Sequence, residues 1–182
     1  MYTIGSIKTF RGMEGHGLNA KILKDGKAIA FVLDEGCGGE VQFDFLNPDQ
    51  NAKSFEKNKD FAAQREKEFG EFALKWYVDS GRHAADEAQS AEWDREAGRE
   101  FVPCAPNANT AMEYWVNHIV DEQQMKKRLD SLAKKKTLFR LKDEQYNDGE
   151  YLTLTQPYSA AIQGYLDRKY GDRVAMIYGV NG

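Results

Sequence analysis

Residues 10–45 read FRGMEGHGLNAKILKDGKAIAFVLDEGCGGEVQFDF, and this stretch decides the fold. Three strand-like runs are separated by glycine-rich turns. In the first, Leu18–Lys24, the apolar Leu18, Ala20 and Ile22 alternate with Asn19 and Lys21, the pattern of a strand with one buried face. Asp25-Gly26 follows. Both central positions of a type I′ hairpin turn need positive φ, which these two residues tolerate. The run 28–33 is apolar on both faces, as in a strand covered on both sides. Glu35-Gly36-Cys37-Gly38-Gly39 reads as a turn. The third run sets Val41, Phe43 and Phe45 on one face against Gln42 and Asp44 on the other. A strand over about Thr3–Phe10 completes a four-stranded antiparallel sheet. The cluster Gly12-Met13-Glu14-Gly15-His16-Gly17 lies between strands and fits neither nucleotide-binding glycine signature, so hairpin and bulge geometry is favoured over an anion loop.

The chain downstream supplies the cover. Asn47-Pro48-Asp49 breaks the strand pattern, and a helix is expected from Ser54 or Asn58 to a stop at Asp79-Ser80-Gly81. Its buried stripe is Phe61, Phe69, Phe72, Ala73 and Trp76. Arg82–Glu100 is charged, with Trp93 its only large apolar residue before Phe101, and reads as a solvated helix or as an acidic flap that touches a partner. Thr110-x-x-Glu113 predicts a capping box opening a further helix, whose apolar face is Met112, Trp115, Val116, Ile119 and Val120. That face continues to Leu129 and Leu132 after a kink or break near Gln123–Gln124. The remainder reads as strand (137–141), Asn147-Asp148-Gly149 turn, strand (150–155), helix after Pro157 to near Gly171, and strand (174–178). These strands extend the first sheet or form a second one. The expected architecture is α+β in a single domain: a β-meander over 1–46, a mainly helical middle over 54–136 and a β-β-α-β segment over 137–182.

Composition narrows the function. A hydrophobic content of 41% supports a packed core, and two cysteines, Cys37 and Cys104, do not make a disulfide framework. The reading is a cytoplasmic chain without a signal peptide or membrane span, and without metal or cofactor. His83 and Pro103-Cys104 lack the glutamate and second cysteine of a zinc deaminase. His118 and Glu122 share a helix face, but the pair alone reads as surface. A reactive Cys37, paired with His16 from the neighbouring turn, is the enzymatic reading. A homodimer is allowed and nothing demands it.

Charge is more telling. Residues 125–142 hold eight cations, among them Lys126, Lys127, Arg128, Lys134, Lys135 and Lys136, against Asp130 alone. The rest of the chain is therefore more acidic than the overall −4. The basic strip could contact phosphates directly. The acidic remainder could instead occupy a basic nucleic-acid channel of another protein.

Phe10–Ala20, the Gly38-Gly39-Glu40 turn, the run Lys136–Leu141 and Lys169-Tyr170-Gly171-Asp172 resemble small proteins encoded by phages and mobile elements of gut bacteria. Among these the chain looks most like a type II anti-CRISPR protein, an inhibitor of Cas9. The likeness covers both ends and not the acidic middle. It implies a non-enzymatic protein of the bacterial cytoplasm that binds the Cas9–guide RNA complex and hinders DNA engagement or cleavage. It carries no site residues across. From charge and aromatic content, the expected contact is Asp86, Glu87, Glu92, Trp93, Asp94 and Glu96. The alternative is a nucleic-acid-binding accessory protein using the 126–142 segment.

Overall fold

A computed structural model describes residues 1–46 and 55–180. The expected break at Asn47-Pro48-Asp49 and the start at Ser54 lie outside them. The architecture is α+β: β1 (Tyr2–Arg11), β2 (His16–Lys24), β3 (Lys27–Asp34), β4 (Gln42–Phe45), α1 (Phe55–Asp79), α2 (Arg82–Glu96), α3 (Ala108–Ala133), β5 (Thr137–Leu141), β6 (Leu152–Leu154), α4 (Ala160–Tyr170) and β7 (Val174–Ile177). By compactness the chain divides into two units, Met1–Val120 and Asp121–Gly182. The boundary falls within α3, whereas the expected segments follow changes of element type.

In the first unit β1–β4 form an antiparallel meander in sequence order. Asp25 and Gly26 have φ of 51° and 79°, the paired positive values that the two-residue turn requires. Leu18, Ala20, Ile22, Ile29, Ala30 and Val32 are buried on the inner face, joined by Phe69, Ala73 and Tyr77 of α1 and by Met112, Trp115, Val116 and Val120 of α3. Phe69 lies at the centre, with ring centroids of Tyr2 and Trp115 each 5.2 Å away.

Four local expectations are corrected. Only one face of β3 is covered: Phe31 is 41% exposed, because α1 and α3 pack on the inner side of the sheet. Phe61 is exposed, outside the stripe that Phe69 and Ala73 continue. The cap of α3 is Asn107, whose side-chain oxygen accepts from the Asn109 amide at 2.7 Å and whose carbonyl accepts from Ala111 at 2.9 Å. Asparagine is a stronger cap than threonine, and it places Thr110 inside the helix. Finally, α3 runs through Gln123–Gln124 without a break, since glutamine is a good helix former.

Glu113, freed from the cap role, is half-buried, and burial followed by the Asp34 and Glu40 carboxylates holds its carboxyl above the ordinary range. A raised carboxyl contributes stability only while protonated, below its unfolded value, and loses it as pH rises through the folded one. Glu113→Gln is therefore expected to raise the unfolding midpoint at neutral pH, with the gain vanishing in acid. Denaturation curves at both pH values check it.

In the second unit β6-β5-β7 form a separate antiparallel sheet. Phe139, Leu141 and Ile177 pack with Leu166 of α4 as its core. The Ser159 hydroxyl caps α4 by accepting from the Ile162 amide at 3.4 Å. Gly171 ends that helix at φ 57°.

Candidate functional site

The acidic residues singled out from sequence lie on α2, and none of this helix's residues is buried. Gly81, at φ 76°, turns the chain out of α1 and into α2. One face of α2 is tied down. The Tyr77 hydroxyl of α1 donates to the Asp86 carboxylate, and burial followed by that bond pushes the Tyr77 phenol well up. Tyr114 stacks on Tyr77 at 5.3 Å and is raised by burial and then by Asp86. Glu87 faces His83 at 3.7 Å. Asp94 accepts from Arg99 at 2.7 and 2.8 Å, bracing the segment that follows the helix. Asp86, Glu87 and Asp94 thus line one cleft of about 330 Å³ with Tyr77, His83 and Ser90.

Glu92, Trp93 and Glu96 are not part of that cleft and are exposed. Glu92 bonds Arg95 at 3.3 Å. Trp93 is 58% exposed, and Val102 just beyond the helix is 71% exposed. The six residues therefore divide into an anchoring set, half-buried along the cleft, and an outward set that is exposed.

In the second unit Lys126, Lys127, Arg128, Lys134, Lys135 and Lys136 are all exposed, and no ion pair engages any of them among the described residues. Arg140, counted with them by charge, is structural. It donates to the carbonyls of Glu150 and Asn147 at 2.9 and 3.0 Å, and its guanidinium lies over Tyr151 at 4.5 Å. Asp130 accepts from the Tyr178 hydroxyl at 2.8 Å, and burial together with that bond pushes this phenol up to about 12.

The glycine turns are internally bonded. The Gly12 amide donates to Gly15, Glu14 to Gly36, and Gly36 to the Asp34 side chain. These amides are already engaged, so they do not present an open anion cradle. Cys37 is exposed with its thiol 3.6 Å from the Glu35 carbonyl, and no bond joins it to His16 among the described residues. His118 is held by Arg82 at 3.1 Å, with its ring centroid 5.2 Å from that of Trp76. Among the described residues no group of three histidine, cysteine or carboxylate side chains is placed to hold a metal ion, and no helix is long and apolar enough to cross a membrane.

One surface escaped the sequence reading. The outer face of the β1–β4 sheet carries an open groove of about 780 Å³ lined by Lys8, Asn19, Lys21, Phe31, Gln42 and Asp44. Its signal was Phe31 standing opposite Lys21 and Asp44 in the strand register.

The chain matches no protein-family model, and no curated protein or solved structure matches it at a significant level.

Proposed function

We propose that the protein is a non-enzymatic binding protein whose α2 docks on a basic surface of a nucleic-acid-handling partner, in keeping with the resemblance to inhibitors of the Cas9–guide RNA complex. The observation that carries this reading is a helix with no buried residue that nonetheless displays Trp93 among Glu92 and Glu96. Helices in proteins owe most of their stability to a packed face, and large aromatic residues recur as interface anchors. The flanking carboxylates complement a cationic channel and disfavour nucleic acid itself as the occupant.

The test is DNA cleavage by guide-loaded Cas9 titrated with the protein, added before or after the guide. Stoichiometric inhibition is expected. Trp93→Ala is expected to weaken it by about 30-fold, the scale of an interface hot spot. Glu92→Lys with Glu96→Lys should abolish it with the circular dichroism spectrum unchanged. Full inhibition by both variants removes α2 from the contact, and no inhibition across several Cas9 orthologues removes the nuclease reading.

The exposed cations of the second unit favour one other reading, direct contact with phosphates. It expects duplex DNA affinity to fall steeply with salt. Reversing Lys134, Lys135 and Lys136 to Glu should then flatten the log–log slope by about 0.9 for each phosphate no longer neutralised. Salt-independent binding, or none at low salt, rejects it.

A further inference from the structure

We propose that the outer face of the β1–β4 sheet binds a nucleotide, with its base on Phe31 and its phosphate on Lys8 and Lys21. This proposal is independent of the α2 reading and of the basic strip.

The register sets out the site. Lys21 stands opposite Phe31, and Phe31 opposite Asp44. In the neighbouring row Lys8 stands opposite Asn19, Asn19 opposite Leu33, and Leu33 opposite Gln42. Read from β1 to β4, the surface presents cations, then an aromatic ring, then a carboxylate and an amide. Strands lie about 4.8 Å apart, so Lys21 and Asp44 are separated by roughly 10 Å of sheet with the ring between them. A nucleotide presents the complementary sequence of groups: an anion, a flat π-face and a hydrogen-bonding edge. An acidic peptide would satisfy the lysines but would bring its carboxylates toward Asp44. Aromatic side chains accept any base by stacking, while Gln and Asp read base edges through their donors and acceptors.

Two further features distinguish this face from an ordinary solvated sheet. Phe31 is 41% exposed, with the Lys21 ammonium 5.2 Å from its ring centre, and neither Lys8 nor Lys21 carries an ion pair among the described residues. The second feature is the β1 bulge. Register shifts between Gly5 and Lys8, and Ser6 there has φ 54°. Gly5 pairs with Lys21, so unbroken alternation would put Ile7 opposite Asn19 on the outer face and turn Lys8 inward. The extra residue reverses that parity. Ile7 packs against the core, and Lys8 stands beside Asn19 in the groove. The left-handed backbone is unfavourable for a non-glycine residue, and bulges recur where a strand must re-aim a side chain. Here the side chain re-aimed is the second cation of the groove.

The experiment uses the full chain at low salt with two probes: a fluorescein-labelled, mixed-sequence single strand of about 10 nucleotides and a fluorescent AMP analogue. Anisotropy should show binding that Phe31→Ala weakens by about tenfold, Phe31→Tyr retains, and Lys8→Ala with Lys21→Ala removes. Binding of both probes assigns the site to nucleotides as such, and binding of the strand alone assigns it to single-stranded nucleic acid. Phe31 is half-exposed, so Phe31→Ala leaves the core intact, which circular dichroism verifies. The proposal is overturned if neither probe binds, or if binding survives Phe31→Ala and the double lysine variant.

Discussion

Phe69→Ala is expected to destabilise the first unit by about 3–5 kcal/mol, a large part of the stability of a typical domain. Phe69 has no exposed surface. Its ring meets Trp115 edge-on at 5.2 Å and lies 6.2 to 6.4 Å from Phe72, Phe43 and Phe45. Removing it leaves a void bounded by rings from β1, β4, α1 and α3, and rigid rings cannot collapse to fill it. The same change at Phe61, which is 48% exposed on the same helix, should cost well under about 1 kcal/mol. All three tryptophans, Trp76, Trp93 and Trp115, belong to the first unit, so fluorescence-detected denaturation reports on it alone. A Phe69→Ala midpoint close to that of Phe61→Ala would show that the aromatic cluster is not the centre of the core.

The contrast between these two phenylalanines shows where sequence reading stops. Periodicity placed both on one stripe, because spacing along a helix reports direction and not how far the neighbouring sheet extends. The meander was legible for a different reason. Asp25-Gly26 and the glycine-rich turn after Glu35 impose backbone conformations that few other residues adopt, and the alternation of Leu18, Ala20 and Ile22 fixes which face is inside. The β1 bulge left only a faint trace, the spacing of three between Ile4 and Ile7, both of which pack inward. At the candidate site, composition located α2 and its acids, but pairing is a three-dimensional property. Asp86 proved to be a partner of Tyr77, and Asp94 of Arg99, while Trp93 and Glu96 stayed outward. Similarly, Arg140 and Lys134 look equivalent as charges, yet one is fixed between carbonyls and tyrosine rings and the other is solvated.

Gly36→Ala is the second change with a large expected effect, about 3 kcal/mol or more, and its cause separates into two parts. Gly36 has φ 65°, where any L side chain costs about 1–2 kcal/mol. It also lies against backbone. A Cβ there would be 2.7 Å from the Gly17 nitrogen and 3.1 Å from the Gly12 Cα. The turn between β1 and β2 and the turn between β3 and β4 therefore interlock, secured by the Glu14 amide donating to the Gly36 carbonyl at 2.9 Å. Main chain cannot rotate away as a side chain can, so the added methyl must spread the two turns or break that bond. Gly26 provides the control. Its φ is 79°, but a Cβ would meet nothing within 4 Å, so Gly26→Ala should show the conformational cost alone. Gly15, with an ordinary φ and open space around it, should accept alanine at almost no cost. Urea midpoints are expected to fall in the order Gly15→Ala, Gly26→Ala, Gly36→Ala, with unchanged m-values for the first two. Equal losses at Gly26 and Gly36 would mean that the turns are not interlocked in solution. The Glu14 amide would then be released from the Gly36 carbonyl, while the Gly12 amide would keep its bond to Gly15 within its own turn.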